Sequence, residues 1–317
     1  MTAREKIRQR IAWVLNEAVS IPVTLAAVAA FALLPRGRKF ALSKPLGWLC
    51  RSFLKRSIQE KMRLLLPEVA ADSAAFRSLW SRYLRNVGLS VFEIMILYRL
   101  TPVESREIIA VEGLEHLQAA LGEGRGAMLF LNHLGNIGCV PGYFGLNNFD
   151  ITIAGNAMPS PFVERRVQSM YRNVGAKRLL LGENLPGRAA QAFRRNGIFA
   201  TYIDLPVTAK HTHWFTFGPA EIRAHLGPAI LAFRNRVPVL CLNAVRLADN
   251  RHRMVIHPPL RHEPTGDTTT DAQRLTHEAL RLLYADLRAA PDQWWAWDFT
   301  PIRRAAAGEV PTEKAHA

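Results

Sequence analysis

Cysteine is scarce in this chain. Its 317 residues include three, Cys50, Cys139 and Cys241, and none falls into a CxxC or Cys/His spacing. That argues against a disulfide framework and a structural zinc site, and fits a reducing compartment in which the thiols are small buried apolar groups. Acidic residues are also short: 26 Asp and Glu stand against 41 Lys and Arg, a net charge of +15. Such an excess fits acidic partners, whether nucleic acid, anionic lipid headgroups or an acidic carrier protein, and composition does not choose among them. Several signatures are missing altogether. No G-x-S-x-G elbow supports a serine hydrolase. "GLEHL" and "HTH" lack the H-E-x-x-H geometry, so no metal is expected. No P-loop or G-x-G-x-x-G follows a strand, so no nucleotide cofactor is expected either. The basic residues are not interleaved with aromatics as in RNP-like or OB-like strands, which argues against nucleic acid as a partner.

What is present is apolar. Hydrophobic residues make up 49% of the chain, enough for one large domain or two small ones with a real core. The N-terminus is basic ("MTAREKIRQR") and then runs apolar from Val19 to Pro35, with Arg36, Arg38 and Lys39 beyond. As a helix, Val19 to Leu34 would measure about 24 Å, short of the roughly 30 Å hydrocarbon core, although Ala12 to Leu15 could extend it. Positive charge on both flanks blurs the orientation rule, and no clean A-x-A cleavage site marks a signal peptide. A monotopic anchor or shallow hairpin on the cytoplasmic leaflet fits best, ahead of a buried apolar helix; spanning and lying flat both stay open.

From Pro45 to about Tyr98 the pattern is that of amphipathic helices with a cationic face. Beyond "REIIAVEGLEHLQAALGEGRG" the texture changes. Short apolar runs ("AMLFLN", "ITIAG", "GIFATYID", "THWFTF", "VPVLCLNAV", "RHRMVIHPP") alternate with helical windows such as "PFVERRVQSMYRNVG", "NLPGRAAQAFRRNG" and "GPAILAFRNR". That alternation predicts an α/β fold with a mostly parallel central sheet flanked by helices. The expected organisation is an anchor over residues 1–44, a single α/β domain with N-terminal helices over 45–300, and a flexible tail over 301–317.

Two strand ends carry candidate chemistry. His133 follows "AMLFLN", and ligands of open α/β sheets gather outside the carboxyl ends of strands. Gly135 and Gly138 then allow a close turn, and a histidine there can take a proton from a hydroxyl at neutral pH. Asp204 ends the strand "GIFATYID". A carboxylate on a neighbouring strand can accept the other ring N–H of His133 and fix its tautomer; the plainer alternative is a turn cap.

The order of segments carries a resemblance. "GLEHLQAALGEGRGAMLFLNHLGNIG", "TYIDLPV", "FTFGPAEIRAHLGPAILAFRNRVPVLCL", "MVIHPPL" and "APDQWWAW" occur in that sequence. Together they resemble the lysophospholipid acyltransferase superfamily, in its lipid A biosynthesis (lauroyl/myristoyl) acyltransferase branch, over about Val111 to Trp297. The family's motif is H-x-G-N-x-E; His133, Gly135 and Asn136 match it, and Gly138 stands where the acid belongs. In this branch a second acid precedes the "FFG-x-P/A" segment, and Asp204, before "FTFGPA", matches it. The family's final tryptophan followed by "HRR" is here "WWAWDFTPIRR". The resemblance implies acyl transfer from an acyl thioester, acyl-ACP or acyl-CoA, to a hydroxyl or amine of a lipid or glycolipid acceptor at an anionic membrane surface. It implies the cytoplasmic face of a bacterial inner membrane and no cofactor. His133 would be the base and Asp204 its orienter. The Gly135–Asn136 turn would offer N–H donors to the oxyanion, and Arg172 would bind a phosphate. The alternative is an inactive homologue that binds lipid or acyl carrier, with Gly138 as its mark.

Overall fold

A computed structural model describes residues 56–158, 160–205, 211–261 and 265–305. The anchor expected over 1–44, Cys50 and residues 306–317 of the expected tail lie outside the described residues. No helix among the described residues is long and apolar enough to cross a membrane.

The chain enters through helices. Helix α1 (Arg56–Leu65) buries Ile58, Met62 and Leu65 from one face, as helical spacing requires. A short α2 (Pro67–Ala71) leads to α3 (Ser73–Leu97), started by Asp72, whose side chain accepts from the Ala74 and Ala75 amides at 2.7 and 3.1 Å. Its 25 residues reach about 37 Å. Phe76, Leu79, Tyr83 and Val87 near its start pack into one hydrophobic cluster and Leu97 at its end into the other. Next come α4 (Pro102–Ile108), with a capping box between Thr101 and Glu104, then β1 (Ile109–Glu112), α5 (Leu114–Gly122), β2 (Ala127–Gly135), α6 (Cys139–Leu146), β3 (Ile151–Gly155), α7 (Pro161–Asn173), β4 (Lys177–Leu180), α8 (Leu185–Arg194) and β5 (Ile198–Tyr202). After β6 (Thr212–Phe217) and β7 (Ala220–His225) follow α9 (Gly227–Asn235), β8 (Val239–Arg246), β9 (His252–Ile256), α10 (Thr268–Ala289), two 3₁₀ turns (Pro291–Gln293 and Trp295–Trp297) and β10 (Ile302–Arg304).

The seven-stranded sheet runs β1-β9-β8-β2-β5-β3-β4. Every neighbouring pair is parallel except β8 with β9, so the expected mostly parallel sheet is present. Alternate residues of β2 face opposite sides: Met128 and Phe130 join one cluster with α8, α9 and α10, while Ala127, Leu129 and Leu131 join the other with α5, α6 and α7. Burial on both faces explains why these strands read as continuous apolar runs.

A second sheet, β10-β7-β6, is antiparallel and was not expected. Its middle strand, "AEIRAH", is composed largely of helix-favouring residues. Pairing on both sides and the burial of Ala220, Ile222 and Ala224 override that preference. The start of the expected flexible tail is likewise ordered, because Ile302 pairs with Ile222.

Candidate active site

Parallel register brings the two strand-end residues together. Leu131 of β2 is the partner of Tyr202 of β5, so two further steps along each strand set His133 beside Asp204. Their side chains meet, with His133 Nδ1 2.8 Å from Asp204 Oδ1. The His133 main-chain N–H donates to Asp204 Oδ2, also at 2.8 Å. On its other side β2 bulges: four steps from Leu131 to Gly135 match two of β8, from Leu242 to Ala244. Bulges re-aim side chains next to functional sites. Asn132 holds this one, its Oδ1 accepting from the Leu134 N–H at 3.0 Å and its Nδ2 donating to the Leu242 carbonyl at 3.4 Å.

Asp204 is fully enclosed, and His133 keeps 17% of its side-chain surface exposed. Burial alone would raise the Asp204 pKa. The charge and ring hydrogen bond of His133, its main-chain N–H and the Trp294 indole outweigh that, and hold the carboxyl below its ordinary value. Trp294 Nε1 donates to Asp204 Oδ2 at 2.8 Å, and the Thr300 hydroxyl donates to the Asp204 carbonyl. The Lys61 ammonium of α1 fastens the segment bearing these donors, reaching the carbonyls of Trp297, Asp298 and Thr300 at 2.8, 3.3 and 2.9 Å. One face of His133 stacks on Tyr202, with ring centroids 4.3 Å apart.

The other expected residues divide. Gly135 and Asn136 continue the chain beside His133. Gly135 has φ +76°, and a Cβ there would lie 1.6 Å from the Ala244 carbonyl oxygen, so only glycine fits. The Asn136 N–H donates to that same oxygen at 2.8 Å. The Asn136 side chain donates to Glu93 Oε2 at 2.9 Å and accepts from the Gly138 N–H at 2.9 Å. The Asn136 main-chain N–H is thus spent inside the protein, and its side chain braces the turn. Arg172 is not brought to the site. It is exposed in the last turn of α7, which runs from the carboxyl end of β3 back to the amino end of β4, the opposite edge of the sheet from His133.

Gly138 has an unstrained φ of −70°. A Cβ at this position would sit 3.1 Å from Asn136 Oδ1, 3.2 Å from Leu97 Cδ1 and 3.4 Å from Ile94 Cγ1, a tight fit that requires these side chains to give by a few tenths of an ångström.

Sequence reading missed Glu93, Arg246, Trp294, Thr300 and Lys61. One signal was there: Asn86, Ser90 and Glu93 recur at helical spacing in an otherwise apolar stretch, marking a polar stripe on a buried face. Cys139 and Cys241 are buried, and burial pushes both thiols far up, so neither offers a thiolate.

Fold and site together define an α/β enzyme class with a carboxylate-paired histidine at the carboxyl edge of a mostly parallel sheet. Residues 13–297 match the family of bacterial lipid A biosynthesis acyltransferases. The match covers most of the chain, which belongs to that family and is an acyltransferase transferring an acyl group to a lipid acceptor. No curated protein matches the chain.

Proposed function

We propose that the chain moves a fatty acyl group from an acyl thioester, acyl-ACP or acyl-CoA, to a hydroxyl or amine of a lipid or glycolipid, with His133 as general base oriented by Asp204. The observation that carries this reading is the 2.8 Å contact between His133 Nδ1 and an enclosed, ionised Asp204. On this reading the ring proton sits on Nδ1, facing the carboxylate, and the Nε2 lone pair is left for the acceptor. Nε2 takes the acceptor proton as its oxygen or nitrogen attacks the thioester carbonyl; the C–S bond then breaks, and the departing thiolate takes the proton back from the imidazolium. No covalent acyl-enzyme is needed.

A mainly apolar cavity of about 460 Å³ is lined by Ala154, Leu185, Phe199, Tyr202, Ile230 and Leu231 among others. Of these residues Tyr202 also stacks on His133, so this cavity is the proposed seat of the acyl chain. The net charge of +15 fits an acidic carrier protein and an anionic bilayer, and the proposed working place is the cytoplasmic face of a bacterial inner membrane.

The test is release of free thiol from lauroyl, myristoyl and palmitoyl thioesters of acyl carrier protein and coenzyme A, with an under-acylated lipid A precursor or lysophosphatidic acid as acceptor. Acceptor-dependent thiol release that His133→Ala abolishes is the expected result. Equal rates for wild type and His133→Ala would overturn the proposal and favour a binding role without chemistry at this site.

A further inference from the structure

A buried ion pair outside the His133–Asp204 contact ties together both halves of the site. Asn86, Ser90 and Glu93 are buried on one side of α3 and meet a single cation, Arg246, at the end of β8. The Arg246 guanidinium donates to Asn86 Oδ1 and Ser90 Oγ, each at 3.3 Å, and to Glu93 Oε1. The other Glu93 oxygen accepts from Asn136 and lies 3.4 Å from His252 Nε2.

Arg246 extends this connection through its main chain. Its N–H donates to Gln293 Oε1 at 2.7 Å, and Gln293 Nε2 donates to its carbonyl at 3.0 Å. The next residue is Trp294, the indole donor to Asp204. From His133 the path therefore runs through Asn136, Glu93, Arg246, Gln293 and Trp294 to Asp204, and closes on His133 Nδ1. His133 to Asn136 and Gln293 to Trp294 are steps along the chain, the other links are contacts between elements, and Asn136 and Asp204 both gain fixed partners from them.

From this closed ring we infer that Glu93 is a positioning residue for the acyl transfer reaction: it fixes the turn after His133 and, through Arg246, the tryptophan that aims Asp204. Glu93 touches no substrate in this scheme. Its effect falls on the angle between imidazole and carboxylate, and hence on kcat more than on donor binding. The inference rests on the role of His133 proposed above.

The variants are Glu93→Gln, which leaves the Arg246 charge without its carboxylate, and Glu93→Gln with Arg246→Met, which removes both charges. Gln293→Met is the third, cutting the ring without removing a charge and so remaining informative if the others do not fold. Two readouts are taken on folded protein: kcat and donor KM in the thiol-release assay, and amide hydrogen exchange at Leu134, Asn136 and Gly138. The expected result is a kcat at least tenfold lower with KM changed less than about twofold, in the doubly neutral variant as well. Exchange at the three amides should rise at least tenfold while β3 stays protected. A folded Glu93 variant with wild-type kcat, or Gln293→Met with wild-type kcat and exchange, would overturn the inference. His133→Ala is run alongside: an inactive His133→Ala beside a fully active Glu93 variant sinks only the ring, whereas an active His133→Ala sinks the base itself.

Discussion

Asp204 has no solvent-exposed side-chain surface, yet its carboxyl is held below the ordinary value of 3.8. A buried carboxylate persists only when donors replace the water it lost. Here the donors are the His133 ring, the His133 main chain and the Trp294 indole. Trp294→Phe keeps an aromatic side chain but removes one donor and leaves part of the buried indole's space empty. The lost donor should cost about 1–3 kcal/mol of stability, with the emptied space adding to it, read by urea unfolding, and should move the Asp204 pKa upward; an unchanged Asp204 titration would mean the indole N–H does not hold the carboxylate. His133 and Asp204 were legible in the sequence because each ends a recognisable apolar strand, and equal register does the rest. Their supports were not. Trp294 lies 90 residues from Asp204, Thr300 lies 96 from it, and Lys61 lies 236 from Trp297; no local pattern announces contacts at such separations.

Helix α3 is the element that most changes the reading of the motif. It packs Ile94 and Leu97 beside Gly138 and supplies Glu93 to the turn from outside the motif. Its polar stripe also gathers His252 of β9, where burial, then the nearby Arg246 charge, pushes the imidazole down to about 3. Burial likewise lowers Arg246, with a smaller push from Arg85, to about 10, which leaves it charged at neutral pH. The sign for His252 follows directly. Between its folded value near 3 and its ordinary value of 6.5, the unfolded chain binds a proton that the folded chain does not. Stability therefore rises with pH across this window, and acidification from 6.5 toward 3 costs about 1.4 kcal/mol per pH unit from this group. His252→Gln should flatten the unfolding free energy over that range relative to wild type. An identical slope in both proteins would show that His252 does not remain neutral when folded.

Across the whole molecule, the alternation of apolar strands and helical windows was enough to specify the mostly parallel sheet, since strands buried on both faces leave a continuous apolar signature. Of the antiparallel β10-β7-β6 sheet only β6, "THWFTF", left such a run: β10 is three residues long and β7 is rich in Ala, Glu and Arg. This small sheet helps carry the C-terminal segment back over Asp204. The large one aligns β2 with β5, and α3 laces the two strand ends together through Arg246. The central claim is that His133 and Asp204 act as one unit, and a double-variant cycle measures it most directly. His133→Ala, Asp204→Asn and the combination are compared by kcat with the thioester that wild type uses fastest. If the two side chains act together, the combined variant is no slower than the slower single one, within about threefold. Losses that multiply would contradict the account.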